Sequence, residues 1–150
     1  MKRMISHNIE FVRDFEDSVG EFEVDAGVLA SALTNILENA LDACIQDNAN
    51  KAHKIIFGVK QDGDDIIFNV SDNGIGMDKE TRDKIFTLFY SSKGREGTGL
   101  GLFISNKIIE EHGGSILVDS SPGNGSHFIV RMPKILPEEV KTPRRATLAK

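Results

Sequence analysis

The sequence predicts one domain of mixed helix and strand, an α+β arrangement, on three observations. Apolar residues come in pairs every four positions, as Val28/Leu29, Ala32/Leu33, Ile36/Leu37, Ala40/Leu41 and Cys44/Ile45. That is the stripe of a long amphipathic helix with a broad buried face. Ile66, Phe68 and Val70 alternate within residues 65–71, as a half-buried strand requires. And 150 residues, 39% apolar and 27% charged, suffice for a single core of ordinary globular composition.

The remaining elements follow in order. Residues 1–19 read as a lead-in in which Ile9-Glu10-Phe11-Val12 opens an edge strand. Glu21-Phe22-Glu23-Val24 gives another, and Asp25 is placed to cap the first helix. Ile55, Phe57 and Val59 share a strand face, and Asp62-Gly63 supplies the turn into the strand that ends at Asp72. Residues 78–86 predict a short helix. Residues 90–98 are polar and glycine-containing, which predicts a mobile loop. A second long helix runs from Thr98 or Gly99 to His112, where Gly113-Gly114 stops it. Residues 115–120 and 126–132 read as strands around Pro122-Gly123-Asn124-Gly125. The tail, 134–150, has no apolar periodicity and is expected to be poorly ordered. The folded domain is therefore set at residues 20–133.

The net charge of −5 argues against nucleic acid as the main partner. A phosphate ligand would need a local positive site. Cys44 is the only cysteine, so neither a disulfide framework nor a zinc cluster is expected. No apolar run is read as approaching a membrane span, and no signal-peptide core is read at the N-terminus.

Four stretches carry possible chemistry. Asp72-Asn73-Gly74-Ile75-Gly76 places a carboxylate and two glycines at a strand end. An acceptor beside bare backbone suits a flat, donor-bearing heterocycle such as adenine, although the same residues also make plain turns. Asn35, Glu38, Asn39 and Asp42 fall on one helix face, and no Lys or Arg occurs between Asp25 and Asn50. An oxygen stripe without its own cation suits Mg²⁺; the alternative is a solvated face. Gly97-Thr98-Gly99-Leu100-Gly101-Leu102 opens a helix, whose unpaired N–H groups can bind phosphate. The run is neither a Walker A sequence nor a dinucleotide fingerprint. Lys93 and Arg95 just before it offer positive charge. Ile85-Phe86-Thr87-Leu88-Phe89-Tyr90 is either core or the anchor of the loop that follows.

In order and spacing these stretches resemble the ATP-binding domain of the sensor histidine kinases, in the superfamily that also holds DNA gyrase, Hsp90 and MutL. Residues 35–40 are similar to its N box, 72–76 to G1, 86–89 to the F box and 97–102 to G2. His112-Gly113-Gly114 and residues 123–128 match its closing pattern. The resemblance spans about residues 20–133. It implies a two-layer α/β sandwich of the Bergerat type, a mixed sheet with helices on one face. It also implies that Asp72 accepts from the adenine amino group and that Gly74 and Gly76 line the base, with Ile75 in the same set. By the same resemblance Asn39 ligates Mg²⁺. Gly97, Thr98, Gly99, Leu100 and Gly101 cradle the phosphates, Lys93 acts from the lid, and Ser126 supplies a hydroxyl near Asp72. Asn35 occupies the place where ATP-hydrolysing members carry a Glu, so it is positional and offers no general base.

Two departures qualify this. Asp42 stands where many members carry a basic residue. No phosphoacceptor module is recognised, since His7 is the only upstream histidine. The chain is read as a catalytic fragment of a longer kinase, or as a stand-alone module. The expected cofactors are ATP and Mg²⁺. The expected partners are a histidine-bearing dimerisation domain of the same parent protein and a downstream response regulator, with a cytoplasmic location. The alternatives are a gyrase- or MutL-like ATPase switch and a non-catalytic nucleotide-binding module.

Overall fold

The computed structural model describes residues 8–17, 21–23, 26–49, 51–87, 101–134 and 145–147. Strand β1 (Glu10–Phe15) is followed by a short β2 (Glu21–Glu23) and helix α1 (Ala26–Gln46). Strands β3 (Lys54–Asp62) and β4 (Asp65–Asp72) form the predicted hairpin, with Gly63 and Asp64 between the paired Asp62 and Asp65. Helix α2 (Lys79–Lys84), helix α3 (Gly101–Glu111), β5 (Ser115–Ser120), β6 (Ser126–Pro133) and a short β7 (Arg145–Thr147) complete the order.

Five strands form one sheet in the order β1-β3-β4-β6-β5. β1 pairs parallel with β3, and the other neighbours are antiparallel, so the sheet is mixed. The parallel pair needs a crossover, and the chain between β1 and β3 contains α1, which packs on β3 and β4. α3 lies beside α1 and against β5. The alternation read in β4 is the core face: Ile66, Phe68 and Val70 are buried, with Phe128, Val130 and Met132 of β6 next to them. Leu29, Ala32, Ile36, Ala40, Leu41 and Cys44 of α1 close the core from above. The Cys44 thiol is pushed up to about 12, first by burial and then by the Asp72 carboxylate, so it stays protonated and inert.

α2 starts at Asp78, whose carboxylate accepts from the Thr81 N–H at 2.8 Å. α3 ends as expected: Gly114 N–H reaches Ile109 O and Gly113 N–H reaches Glu110 O, the paired bonds of a Schellman ending.

Three expectations need correction. Over Gly27–Gln46, α1 is long and apolar enough to cross a membrane by length and composition, contrary to the reading that no run approaches such a length. Its packing explains the apolarity, because its apolar stripe covers the sheet as the core helix of the domain. β2 is not an edge of the main sheet; it pairs antiparallel with β7 in a sheet of its own. That pairing also puts Arg145–Thr147 of the supposedly unstructured tail into a strand. Strands of three residues are too short to carry a period. Asp25, Leu88, Phe89, the loop at 90–98 with Lys93, and Gly97, Thr98, Gly99 and Leu100 lie outside the described residues.

Candidate functional site

The site is built where β4 ends beneath the C-terminal half of α1. β4 delivers Asp72, and the chain then turns against the helix: Ile75 N–H donates to Ala43 O at 3.1 Å. The turn works only with glycine. A Cβ on Gly74 would lie 2.5 Å from the Ala43 carbonyl carbon and oxygen. Gly76 has φ +69°, and a Cβ there would lie 2.0 Å from Ser121 O in the β5–β6 turn. Both missing side chains therefore make room for protein. The sequence reading had these glycines lining the base. Gly76 does border the cavity described next, but the face of Gly74 that lacks a side chain meets α1.

A cavity of about 250 Å³ is walled by Asn39, Asp42, Ala43 and Gln46 of α1, by Ile75 to Asp78 and Thr81, and by Pro122 and Ser126. Asn39, Ile75, Gly76 and Ser126 thus come together as predicted. The helical stripe facing the cavity is 39/42/43/46, one turn further along than the 35/38/39/42 stripe read from the sequence. Both have helical spacing, so charge alone could not choose between them. Glu38 is exposed, and Asn35 serves elsewhere. The Asn35 amide donates to Ser105 Oγ at 2.9 Å and to Gly101 O at 3.3 Å, which ties α1 to the first turn of α3. Gly101 is where the predicted phosphate-binding run enters the described structure, and among the described residues a Cβ there would lie nearest the Asn35 side chain, at ordinary contact distance.

Asp72 is 8% exposed. Gly74 N–H donates to its Oδ1 at 2.9 Å, and the nearby backbone N–H of Ser126, its partner across β4 and β6, also favours the ionised form. Burial nevertheless dominates, and its pKa is pushed up to about 6. Asp72 is not among the residues that line the cavity; it lines a second, more open recess of about 680 Å³ with Ala52, His53, Lys54, Ser71 and Asn73, and reaches the cavity only through its neighbour Ser126.

Several supports were not anticipated. Asn73 accepts from Lys54 N–H at 2.8 Å and donates to Ala52 O at 2.9 Å, so it fastens the Asp72 turn to the start of β3. Asp47, just after α1, holds His53 at 2.9 Å and Lys51 at 3.1 Å. The bond from His53 leads the contacts that draw its pKa down to about 2. Ser120 joins Met77, Gly125 and Ser126. Asn73 falls in the run 72–76 and Gly125 and Ser126 in 123–128, but Asp47, Lys51, His53 and Ser120 fall in no motif. Their partners are set by strand register.

The donor set fits a purine nucleotide with a divalent cation. The cavity has room for a base, a buried carboxylate stands beside Ser126, and Asn39 and Asp42 offer oxygen ligands on one wall. Among the described residues no three His, Cys, Asp or Glu side chains converge as a metal cage, so a cation here would be shared with its ligand.

Residues 24–136 match the family described as histidine kinase-, DNA gyrase B- and HSP90-like ATPase. Over 112 residues the chain is 39% identical to the methanogenesis regulatory histidine kinase FilI of Methanothrix harundinacea, covering 73% of this chain and 12% of that protein. The catalytic domain of histidine kinase ThkA superposes with a TM-score of 0.75 at 30% identity, over 89% of this chain and 84% of that one. ThkA has also been solved in complex with the response regulator protein TrrA. Full-length ShkA in complex with AMPPNP superposes with a TM-score of 0.77 at 25% identity, over 95% of this chain and 28% of that one. The chain spans about one eighth of FilI. It belongs to the histidine kinase-, DNA gyrase B- and HSP90-like ATPase family, and within it is a catalytic, ATP-binding domain of the two-component sensor histidine kinase type.

Proposed function

We propose that this chain holds Mg-ATP and presents its γ-phosphoryl group to a histidine on a separate dimerisation domain of the same parent protein. A response regulator would then receive the phosphoryl group, on the cytoplasmic side of the cell. The observation that carries this reading is the buried Asp72 carboxylate paired across the strands with Ser126, which itself lines a base-sized cavity whose helical wall carries Asn39. Asp72 and Ser126 receive the base edge, Ile75 and Gly76 border its plane, and Asn39 supplies an oxygen to Mg²⁺. ATP contributes the transferable group when bound. The chain's own part is positioning and charge neutralisation, which dominate phosphoryl transfer. Among the described residues lining the cavity none is cationic. The counter-charge for a triphosphate is therefore assigned to Mg²⁺ and to the stretch of 88–100 that carries Lys93, Arg95 and the glycines at 97 and 99. The AMPPNP complex of ShkA and the TrrA complex of ThkA support the nucleotide and the downstream partner.

The test is reconstitution. The purified chain is mixed with a histidine-bearing dimerisation domain of a related kinase and γ-labelled ATP. Acid-labile phosphate on that domain, lost when its histidine is replaced, is the expected result. ATP binding without any transfer across a panel of such domains would overturn the kinase reading.

A further inference from the structure

The Ser120 hydroxyl fixes which way a second hydroxyl points. Both Ser120 and Ser126 are buried. Ser120 Oγ lies 2.8 Å from Gly125 O, and a carbonyl only accepts, so the Ser120 proton is committed there. Met77 N–H donates to Ser120 Oγ at 2.9 Å. Ser126 Oγ also lies 2.8 Å from Ser120 Oγ. With the single Ser120 proton already used, Ser126 must be the donor in this pair. Its own proton therefore points at Ser120, and only lone pairs remain for the cavity that Ser126 lines. Ser120 is itself held from the other side, since Arg82 donates to its carbonyl at 3.1 Å.

Asp72 stands beside Ser126 and is an acceptor when ionised. On the reading that both receive the base edge, two side-chain oxygens, Ser126 at the cavity and Asp72 beside it, offer no side-chain proton between them. A base with a 6-amino group donates to such a pair. A base with a 6-oxo group puts an acceptor where that amino group would donate and offers only its ring N1–H in exchange, so the oxygen facing position 6 is left unpaired, which is a basis for discrimination. We propose that Ser120 is a positioning residue which, by taking the Ser126 proton, makes Ser126 an obligate acceptor and sets the preference of the site for 6-amino over 6-oxo purines. This rests on the reading that Asp72 and Ser126 receive the base edge.

The experiment compares ATP with inosine triphosphate by calorimetry on the whole chain at pH 8, where Asp72 is ionised. The phosphates are identical, so the affinity ratio isolates the base edge. Ser120→Ala frees the Ser126 proton to turn toward the ligand. The expected result is a fall in the ATP preference of about three- to tenfold, carried by weaker ATP binding. Ser126→Ala should lower the preference similarly, and the double variant should go no lower than Ser126→Ala alone. Equal weakening of both nucleotides in Ser120→Ala, or an unchanged ratio, would overturn the proposal. If Ser120→Ala does not fold, Ser126→Ala decides: a loss that falls mainly on inosine triphosphate makes Ser126 a donor and sinks the idea. Wild-type chain that binds ATP and inosine triphosphate alike would instead refute the base-edge reading itself, and the inference with it.

Discussion

The two walls flanking α1 are held in opposite ways. The wall at the end of β4 is fixed by backbone. Gly74 lies against the Ala43 carbonyl, Ile75 N–H bonds the same carbonyl, Gly123 N–H bonds Ile75 O at 2.7 Å, and Gly74 N–H holds the Asp72 carboxylate. Toward α3, the polar tie among the described residues is one side chain, Asn35, reaching Gly101 and Ser105. The first wall cannot adjust without moving a strand or a helix. The second adds to its helix packing only a replaceable amide among the described polar ties. A site that must grip a base and let a phosphoryl group leave has reason to be stiff on one side and adjustable on the other.

The largest effect should come from crowding the stiff wall. Gly74→Ala drives a Cβ into the backbone of α1, and neither neighbour is a flexible side chain that can yield. A loss on the order of 3 kcal/mol of stability is expected in urea melts, with nucleotide binding abolished. The matching change on the other wall, Gly101→Ala, has the Asn35 side chain at 3.5 Å as its nearest described neighbour and gains helix propensity. Its melting curve should stay within about 1 kcal/mol of wild type. Equal destabilisation by the two changes would erase the contrast.

Asp72→Asn comes next. A hydrogen bond involving a charged group is worth roughly 1.5–3 kcal/mol, so ATP affinity should fall about ten- to hundredfold. Stability should not fall with it. The folded pKa of Asp72 is raised to about 6, above the ordinary carboxylate value of 3.8. Between those values the native state keeps a proton that the unfolded chain has lost. This group's contribution to stability therefore declines as pH rises from 3.8 to 6 and is flat above that. The variant lacks that slope, so its stability relative to wild type should be higher at pH 8 than at pH 4. ATP affinity of the wild type should weaken as pH drops below about 6, because the protonated carboxyl has lost acceptor strength. Calorimetry and thermal melts across pH 4–8 read both. A wild-type affinity unchanged from pH 8 to pH 5 would remove Asp72 from the base edge.

A smaller, more selective loss is expected at the helical wall. Asn39→Ala removes an oxygen from the cavity without disturbing the turn beneath it. Mg²⁺-dependent ATP affinity should drop by about tenfold, while adenosine, which carries no phosphate, should bind as before. The same Mg²⁺ dependence in the variant would return Asn39 to the role of a solvated wall residue.

This contrast also explains what the sequence could and could not disclose. Asp72 and its strand were legible because a period of two ends in a carboxylate and glycines. α1 was legible because apolar pairs recur through its whole length. The glycines told that no side chain fits at 74 and 76, but not whether a ligand or a helix occupies the space. Ser120 gave no signal, because its meaning depends on β5 pairing with β6 so that it sits opposite Ser126. The Asp47, Lys51 and His53 cluster falls in no motif, and only the folding back of the chain after α1 brings it together. Backbone periodicity is local; hydrogen-bond partners across a sheet are not.

Asn35 is the position where these two kinds of legibility collide. As an amide at the place where hydrolysing relatives carry a Glu, it offers no general base, and slow hydrolysis of ATP by the chain is expected. That argument alone makes Asn35→Glu a gain of function. General-base help is typically worth roughly a hundred- to ten-thousandfold in rate. The structure adds a cost. The Asn35 nitrogen donates to Gly101 O and Ser105 Oγ, and a carboxylate has no proton for either. It would face the Gly101 carbonyl as a second acceptor, in a half-buried place where an unsatisfied partner costs about 1–3 kcal/mol. The adjustable wall would loosen as the base arrives. Asn35→Glu should therefore lower the melting temperature by a few degrees and raise steady-state hydrolysis by well under a hundredfold. Asn35→Ala should lower the melting temperature in the same way with no rise in hydrolysis. Full general-base acceleration in Asn35→Glu with no loss of stability would show that the tie to α3 carries nothing, and that both walls flanking α1 are equally stiff.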